Sequence, residues 1–215
     1  MDRRKALKNM GLAMGYSVAA PTLISIMQSC KNEVALEWAP DFFTLDEGAA
    51  LTKLVDLILP KTDTPAASEV QVPMFIDRFV DQVMEKEEQD FAKMSMGSFL
   101  DKALQNSGKD SAGELDPEDL EPVLAEALKV SKAETAKHQE AIQQYFQALA
   151  EGKEAELDDT VSRFAFASNL REITIMAYKT SEYVGEQVLN YLPVPGEYIG
   201  CGDVQELTGG KAWSL

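Results

Sequence analysis

TLDEGAALTKLVDLILP, residues 44–60, carries a helix with both ends marked. Thr44 and Glu47 stand in the T-x-x-E spacing. There a threonine hydroxyl takes the N–H three residues on, and the glutamate returns to the threonine N–H. Leu51, Leu54, Val55 and Ile58 follow at helical spacing, and Pro60 stops the run. The same grammar repeats along the chain, and its repetition decides the fold class.

Downstream, PKTDTPAASEVQV is a loop rich in turn residues, and Pro73 suits the first turn of a second helix. The face expected inward on that helix is Phe75, Ile76, Phe79, Val80 and Val83. A third helix is predicted from about Glu88 to Gln105, with Met96, Phe99, Leu100, Ala103 and Leu104 inward. The acidic run EKEEQD (85–90) before it reads as a solvated junction. Asp116-Pro117 reads as a short turn, because Pro122 would interrupt a helix begun there. The next helix is therefore expected to start near Pro122 and to bury Val123, Leu124, Ala127 and Leu128. Ser131 and Glu134 form a second capping box, for a helix ending near Gly152 with Ile142, Tyr145, Phe146 and Leu149 on one face. Residues 158–192 read as a long helix, a break near Thr180 and a shorter helix. No stretch alternates with period two. The expectation is an all-α, compact bundle of six to seven helices. Its C-terminal tail, 193–215, is rich in glycine and proline and shows no helical period.

Upstream the chain opens MDRRKALK, with Arg3 and Arg4 adjacent, before the mildly apolar residues 9–29. This arrangement fits a twin-arginine export signal, a route that carries proteins folded before export. Gly11, Gly15 and Pro21 make it a poor membrane span. Cys30 closes the stretch and looks like a bacterial lipoprotein processing site, which would leave Cys30 lipidated as the first mature residue. A soluble periplasmic protein with an unused cysteine is the other reading. The expected layout is a signal peptide at 1–30, a tether at 31–42, a helical domain at 43–192 and the tail at 193–215. The expected location is the periplasm, with a lipid anchor in the cell membrane or the outer membrane. The residues after Cys30 faintly resemble surface-export signals.

The net charge is −16, and removing residues 1–30 takes away four bases and one acid, leaving −19. Such a surface repels phosphate backbones, so nucleic-acid binding is not expected. It also repels an anionic membrane, so the lipid would do the anchoring.

Export of a folded protein raises the question of a cofactor, and the sequence shows no site for one. GCGDVQ (200–205) lacks the third glycine and the preceding strand of a dinucleotide fingerprint. Cys30 and Cys201 are the only cysteines and His138 the only histidine. Covalent haem and zinc are therefore unsupported. His138, in a polar helix, reads as a solvated surface residue. GKDSAGELDPED (108–119) resembles a calcium loop in composition, but Gly108 and Ala112 fall where ligands are needed. The simplest resolution is that the cofactor belongs to a partner.

FFTLDEGAALTKLVDLILPKTDTPAASEVQVPMFIDRFV (42–80) resembles the N-terminal signature of the gluconate 2-dehydrogenase subunit 3 family. Matching features are Phe43, Glu47, Leu51, Leu54, Asp56, Leu59-Pro60, Asp63-Thr64-Pro65, Val72-Pro73 and Phe75-Ile76-Asp77. Glycines often found between Pro65 and Val72 are absent here. YKTSEYVGEQVLNYLPVPGEYIGC (178–201) resembles the lipoprotein branch of the same family. The resemblance implies a small helical subunit that accompanies an FAD-bearing oxidoreductase of the glucose–methanol–choline type. That catalytic chain oxidises a sugar or sugar acid and often passes electrons to a c-type cytochrome. The small subunit commonly carries the twin-arginine signal and aids folding and export of the large one. No catalytic, cofactor or metal residues are carried over.

The expected contacts with the partner lie in the tail, at Pro195, Tyr198, Cys201 and Trp213. Cys201 has two settings open to it: buried and inert, or at another chain. Its flanking glycines favour the second. A stand-alone envelope lipoprotein that binds a ligand or partner is the alternative to the accessory subunit. An enzyme acting alone through carboxylates is the third reading.

Overall fold

The computed structural model describes residues 36–194, 196 and 201–214. These residues form an all-α bundle, and among them no strand forms. Seven α-helices occur: α1 (Leu45–Ile58), α2 (Val72–Gln82), α3 (Lys86–Ser107), α4 (Pro117–Leu128), α5 (Lys132–Ala150), α6 (Asp159–Thr180) and the short α7 (Val204–Thr208). One π-helical turn, Val184–Val188, follows α6.

Local chemistry sets the helix ends. The Thr44 hydroxyl accepts from Glu47 N at 3.3 Å, and Glu47 Oε2 accepts from Thr44 N at 2.8 Å. Ser131 and Glu134 do the same for α5. The acidic run at 85–90 is no separate junction but the first turn of α3. Glu85 is its cap, and Glu87 and Glu88 face the positive end of the helix dipole. Gly108, at φ 68°, takes the left-handed conformation that ends α3.

Pro122 does not delay α4. The helix starts at Pro117, capped by Asp116 with Asp119 in a reciprocal box. Pro122 lies within it on the exposed face. The backbone bond it removes would have used the carbonyl of exposed Glu118, where water can substitute.

Helix α6 is the centre of the bundle and packs on all five other long helices. Helices at the surface are apolar on one stripe, whereas a central one must bury several. Accordingly α6 buries Phe164, Phe166 and Leu170 together with small residues, Ser162, Ala165, Ala167 and Ala177. The small side chains let neighbouring helices come close. Phe99 of α3 meets Phe166 at 5.0 Å between ring centroids, among Leu51, Leu54, Met96, Leu120 and Val123.

Helix α5 is the outermost of the six. None of its residues is buried. Tyr145 and Phe146 lean on Phe91 at 5.6 and 4.9 Å. His138 is half-buried rather than solvated. Its ring stands edge-on to Phe164 at 4.8 Å, an apolar contact that its polar sequence neighbours do not reveal.

Loop 108–119 is filled by the chain's own cations. Lys109 Nζ donates to the Glu114 carbonyl at 2.7 Å, Asp116 Oδ2 at 2.8 Å and Asp119 Oδ2 at 2.7 Å. Lys53 Nζ reaches the Gly113 and Leu115 carbonyls from α1. The oxygens that resemble a calcium loop are thus taken up by two ammonium groups.

Candidate functional site

An open trough of about 1090 Å³ lies beside α2. Three pieces of chain build it: the loop after α1, one face of α2, and the segment that follows α6.

The loop is held from both sides. Asp56, on α1, accepts from Ser68 N at 2.8 Å and Ser68 Oγ at 2.7 Å. Tyr178, on α6, donates its hydroxyl to the Pro65 carbonyl at 2.8 Å. Glu69 accepts from Ala66 N at 2.8 Å and from Lys61 Nζ at 2.6 Å. The Lys61 ammonium, with the Ala66 N–H, holds the Glu69 carboxyl below its ordinary range. Gln71 leaves the loop at φ 63°, a left-handed conformation rare for a residue with a side chain, and α2 starts immediately after it.

Helix α2 carries two apolar stripes, not one. Val72, Ile76 and Val80 are buried in the core. Phe75, Phe79 and Val83, one position further round, line the trough. Phe75 is 41% and Val83 62% exposed. The sequence reading placed Phe75 and Val83 in the core. The combined arc is wider than the surface α1 and α6 cover, so the second stripe is left outside. Phe75 and Phe79 stack at 5.9 Å with their planes 21° apart.

The far wall is the end of α6 and the π-helical turn. Ser181 caps α6, as the expected break near Thr180 requires. Val184 is buried, while Glu182, Tyr183, Glu186 and Gln187 face the trough. The tail returns to this turn. Asn190 N donates to the Ala212 carbonyl and Ser214 N to the Asn190 carbonyl, both at 2.9 Å. A Cβ on Gly185 would meet Ser214 Oγ at 3.2 Å. The C-terminal residues therefore close a loop whose base rests on one wall of the trough.

Of the residues singled out from the sequence, Arg3, Arg4, Cys30, Pro195 and Tyr198 lie outside the described residues. Cys201 is exposed and free of any disulfide. Trp213 is 48% exposed and pairs through its backbone with Asn190. The tail is less irregular than its composition suggests. Asp203 accepts from Gln205 N and Glu206 N and starts α7. Tyr191, Leu192, Val194, Val204 and Leu207 are exposed around it.

The aromatic and aliphatic side chains of the trough stand among charged and hydroxyl-bearing ones. Among the described residues, no three of His, Cys, Asp and Glu gather as a metal site, and no helix is long and apolar enough to cross a membrane.

The family model for gluconate 2-dehydrogenase subunit 3 matches residues 45–196. The chain belongs to this family. No curated protein and no solved structure matches it. The matched span takes in α1 to α6, the π-helical turn and every residue lining the trough. It leaves Cys201, α7 and Trp213 outside. Gluconate 2-dehydrogenase subunit 3 is by its description one subunit of a dehydrogenase, which fits an accessory chain of a dehydrogenase complex.

Proposed function

We propose that this chain is the non-catalytic accessory subunit of an exported, FAD-dependent sugar or sugar-acid dehydrogenase of the glucose–methanol–choline type. The observation that carries the reading is the family match across the whole bundle. A second support is that the bundle leaves Phe75, Phe79 and Val83 of α2 uncovered beside the trough, as a surface that meets another chain would. FAD and the catalytic residues belong to the partner, and a c-type cytochrome takes the electrons. The accessory chain binds the folded holo-form and so stabilises it by linkage. Arg3 and Arg4 address the assembled pair to the twin-arginine route, and lipid on Cys30 tethers it in the periplasm. Cys201 and Trp213 of the tail contact the catalytic chain.

Export and co-purification test this reading together. Arg3→Lys with Arg4→Lys should strand the chain and its flavoprotein partner in the cytoplasm, because the pathway reads the paired guanidinium groups. The wild-type chain should co-purify with a flavin-bearing chain and should oxidise no sugar alone. Normal export of both chains after the double change, or turnover by the isolated chain, sinks the reading.

A further inference from the structure

The outer stripe of α2 has no partner in this chain, and its charges describe the partner it lacks. Two cations line the trough, and both are engaged inside the molecule. Lys61 pairs with Glu69 at 2.6 Å, and Arg78 with Asp41 at 3.6 Å. Asp63, Glu182 and Glu186 also line it. Among the described residues none of these three has a cation within 4 Å. Glu182 and Glu186 are four residues apart on one wall, a spacing at which like charges repel. Glu186 lies in the π-helical turn and Glu182 two residues before it, and the segment is anchored by buried Val184 and by the backbone pairing of Asn190 with the tail. π-Helical turns recur at functional sites. The floor is prearranged as well, since Phe75 and Phe79 already stack.

We propose that this trough receives a segment of the catalytic subunit in which an apolar or aromatic side chain is flanked by lysine or arginine. The apolar residue lies over Phe75, Phe79 and Val83, and the flanking cations meet Glu182, Glu186 and Asp63. The proposal rests on the accessory-subunit reading and adds the surface and the chemistry of its occupant. A second copy of this chain would bring the same carboxylates to the same rim, on a molecule of net charge −16. Charge complementarity therefore selects a basic partner. The volume, about 1090 Å³, exceeds the roughly 300–1,000 Å³ typical of small-ligand sites, and the trough is open, which suits a peptide segment.

The test uses the full chain in its native complex, with a photo-crosslinking residue at Val83 or Tyr183 and a control at exposed Lys137 on α5. Positions 83 and 183 should link to a peptide of the flavin-bearing chain that contains an apolar residue beside lysine or arginine. Position 137 should not. Glu182→Lys with Glu186→Lys should lower recovery of the flavoprotein about tenfold, with the melting temperature of the accessory chain unchanged. If the flavoprotein co-purifies but links only at 137, the trough is not the docking surface and the accessory reading stands. Links from 83 and 183 to a second copy of this chain overturn the proposal in favour of a homodimer. If the wild-type chain brings down no flavoprotein, the accessory reading fails and this proposal with it.

Discussion

Phe43 donates its backbone N–H to Oδ1 of Asp77 at 2.9 Å, across 34 positions of sequence. The same carboxylate accepts from Phe42 N at 3.1 Å and, through Oδ2, from Asp41 N at 2.7 Å. Asp77 is 1% exposed. A buried carboxylate holding three successive N–H groups fixes how the chain enters α1. That same turn carries Asp41 to Arg78, on the rim of the trough. Asp77 is one of the residues on which the family resemblance rests, and this clamp gives it a structural role.

Asp77→Ala removes all three acceptors at once. Each buried polar group left without a partner costs about 1–3 kcal/mol. Phe43 N is fully enclosed, whereas Asp41 is exposed and water can reach its N–H. The expected loss is about 2–4 kcal/mol. Asp77→Asn keeps one oxygen but turns an NH₂ toward the remaining N–H groups, so it should fall between wild type and alanine. Urea midpoints at a constant m-value check this. An asparagine variant as stable as wild type would remove the clamp from the account.

Glu47 gives the bundle a dependence on acid. Burial pushes its carboxyl up. The Lys93 ammonium, the Thr44 backbone N–H and the Thr44 hydroxyl together outweigh that and hold it below the ordinary 4.5. A carboxyl lowered in the folded state binds fewer protons there than in the unfolded chain. Its stabilisation is complete above 4.5 and is lost as pH falls through the lowered folded value. Glu47→Gln should be less stable than wild type at about pH 7, and the difference should shrink by about pH 3. Denaturation curves at both pH values test it, and a difference that stays constant with pH would remove Glu47 from the acid response.

The two stripes of α2 predict opposite consequences for adjacent residues. Ile76 is 4% exposed and belongs to the core, so Ile76→Ala should cost about 2–5 kcal/mol. Phe75 faces the trough, and Phe75→Ala should cost less than about 1 kcal/mol in the isolated chain. The Phe75 variant should instead weaken capture of the flavoprotein. Equal losses of stability at the two positions would place Phe75 in the core after all.

How much of this was open to a reader of the sequence depended on distance along the chain. The boxes at Thr44–Glu47 and Ser131–Glu134 are local, three residues wide, and their geometry follows from spacing alone. Pro122 was misread because its effect depends on which side of α4 meets water, a property of the packed bundle. His138 sits in a polar stretch, and only the fold brings Phe164 under its ring. Asp77 looks like any surface aspartate until residues 41–43 are folded over it. The trough is a matter of coverage. The sequence shows that α2 is apolar over a wide arc, and the positions of α1 and α6 decide which part stays bare. That excess width, Phe75 beside Ile76 and Phe79 beside Val80, was the available signal.

Cys201 lies on the surface of the folded chain. The reading of it as a small buried hydrophobe therefore gives way to the one that leaves the thiol within reach of another chain. In the folded, isolated chain a maleimide should label it without denaturant. The chain holds one other cysteine, Cys30, and lipid attached there would leave Cys201 without a partner of its own. In an oxidising compartment an exposed thiol then stays free or pairs across chains. In the native complex the labelling should fall sharply, either because the catalytic subunit covers the thiol or because it has bonded to it. Non-reducing electrophoresis separates the two. A band at the summed mass that collapses on reduction and is missing in Cys201→Ser marks a disulfide. Protection without that band marks a covered thiol. Labelling as fast in the complex as in the isolated chain would take Cys201 out of the contact.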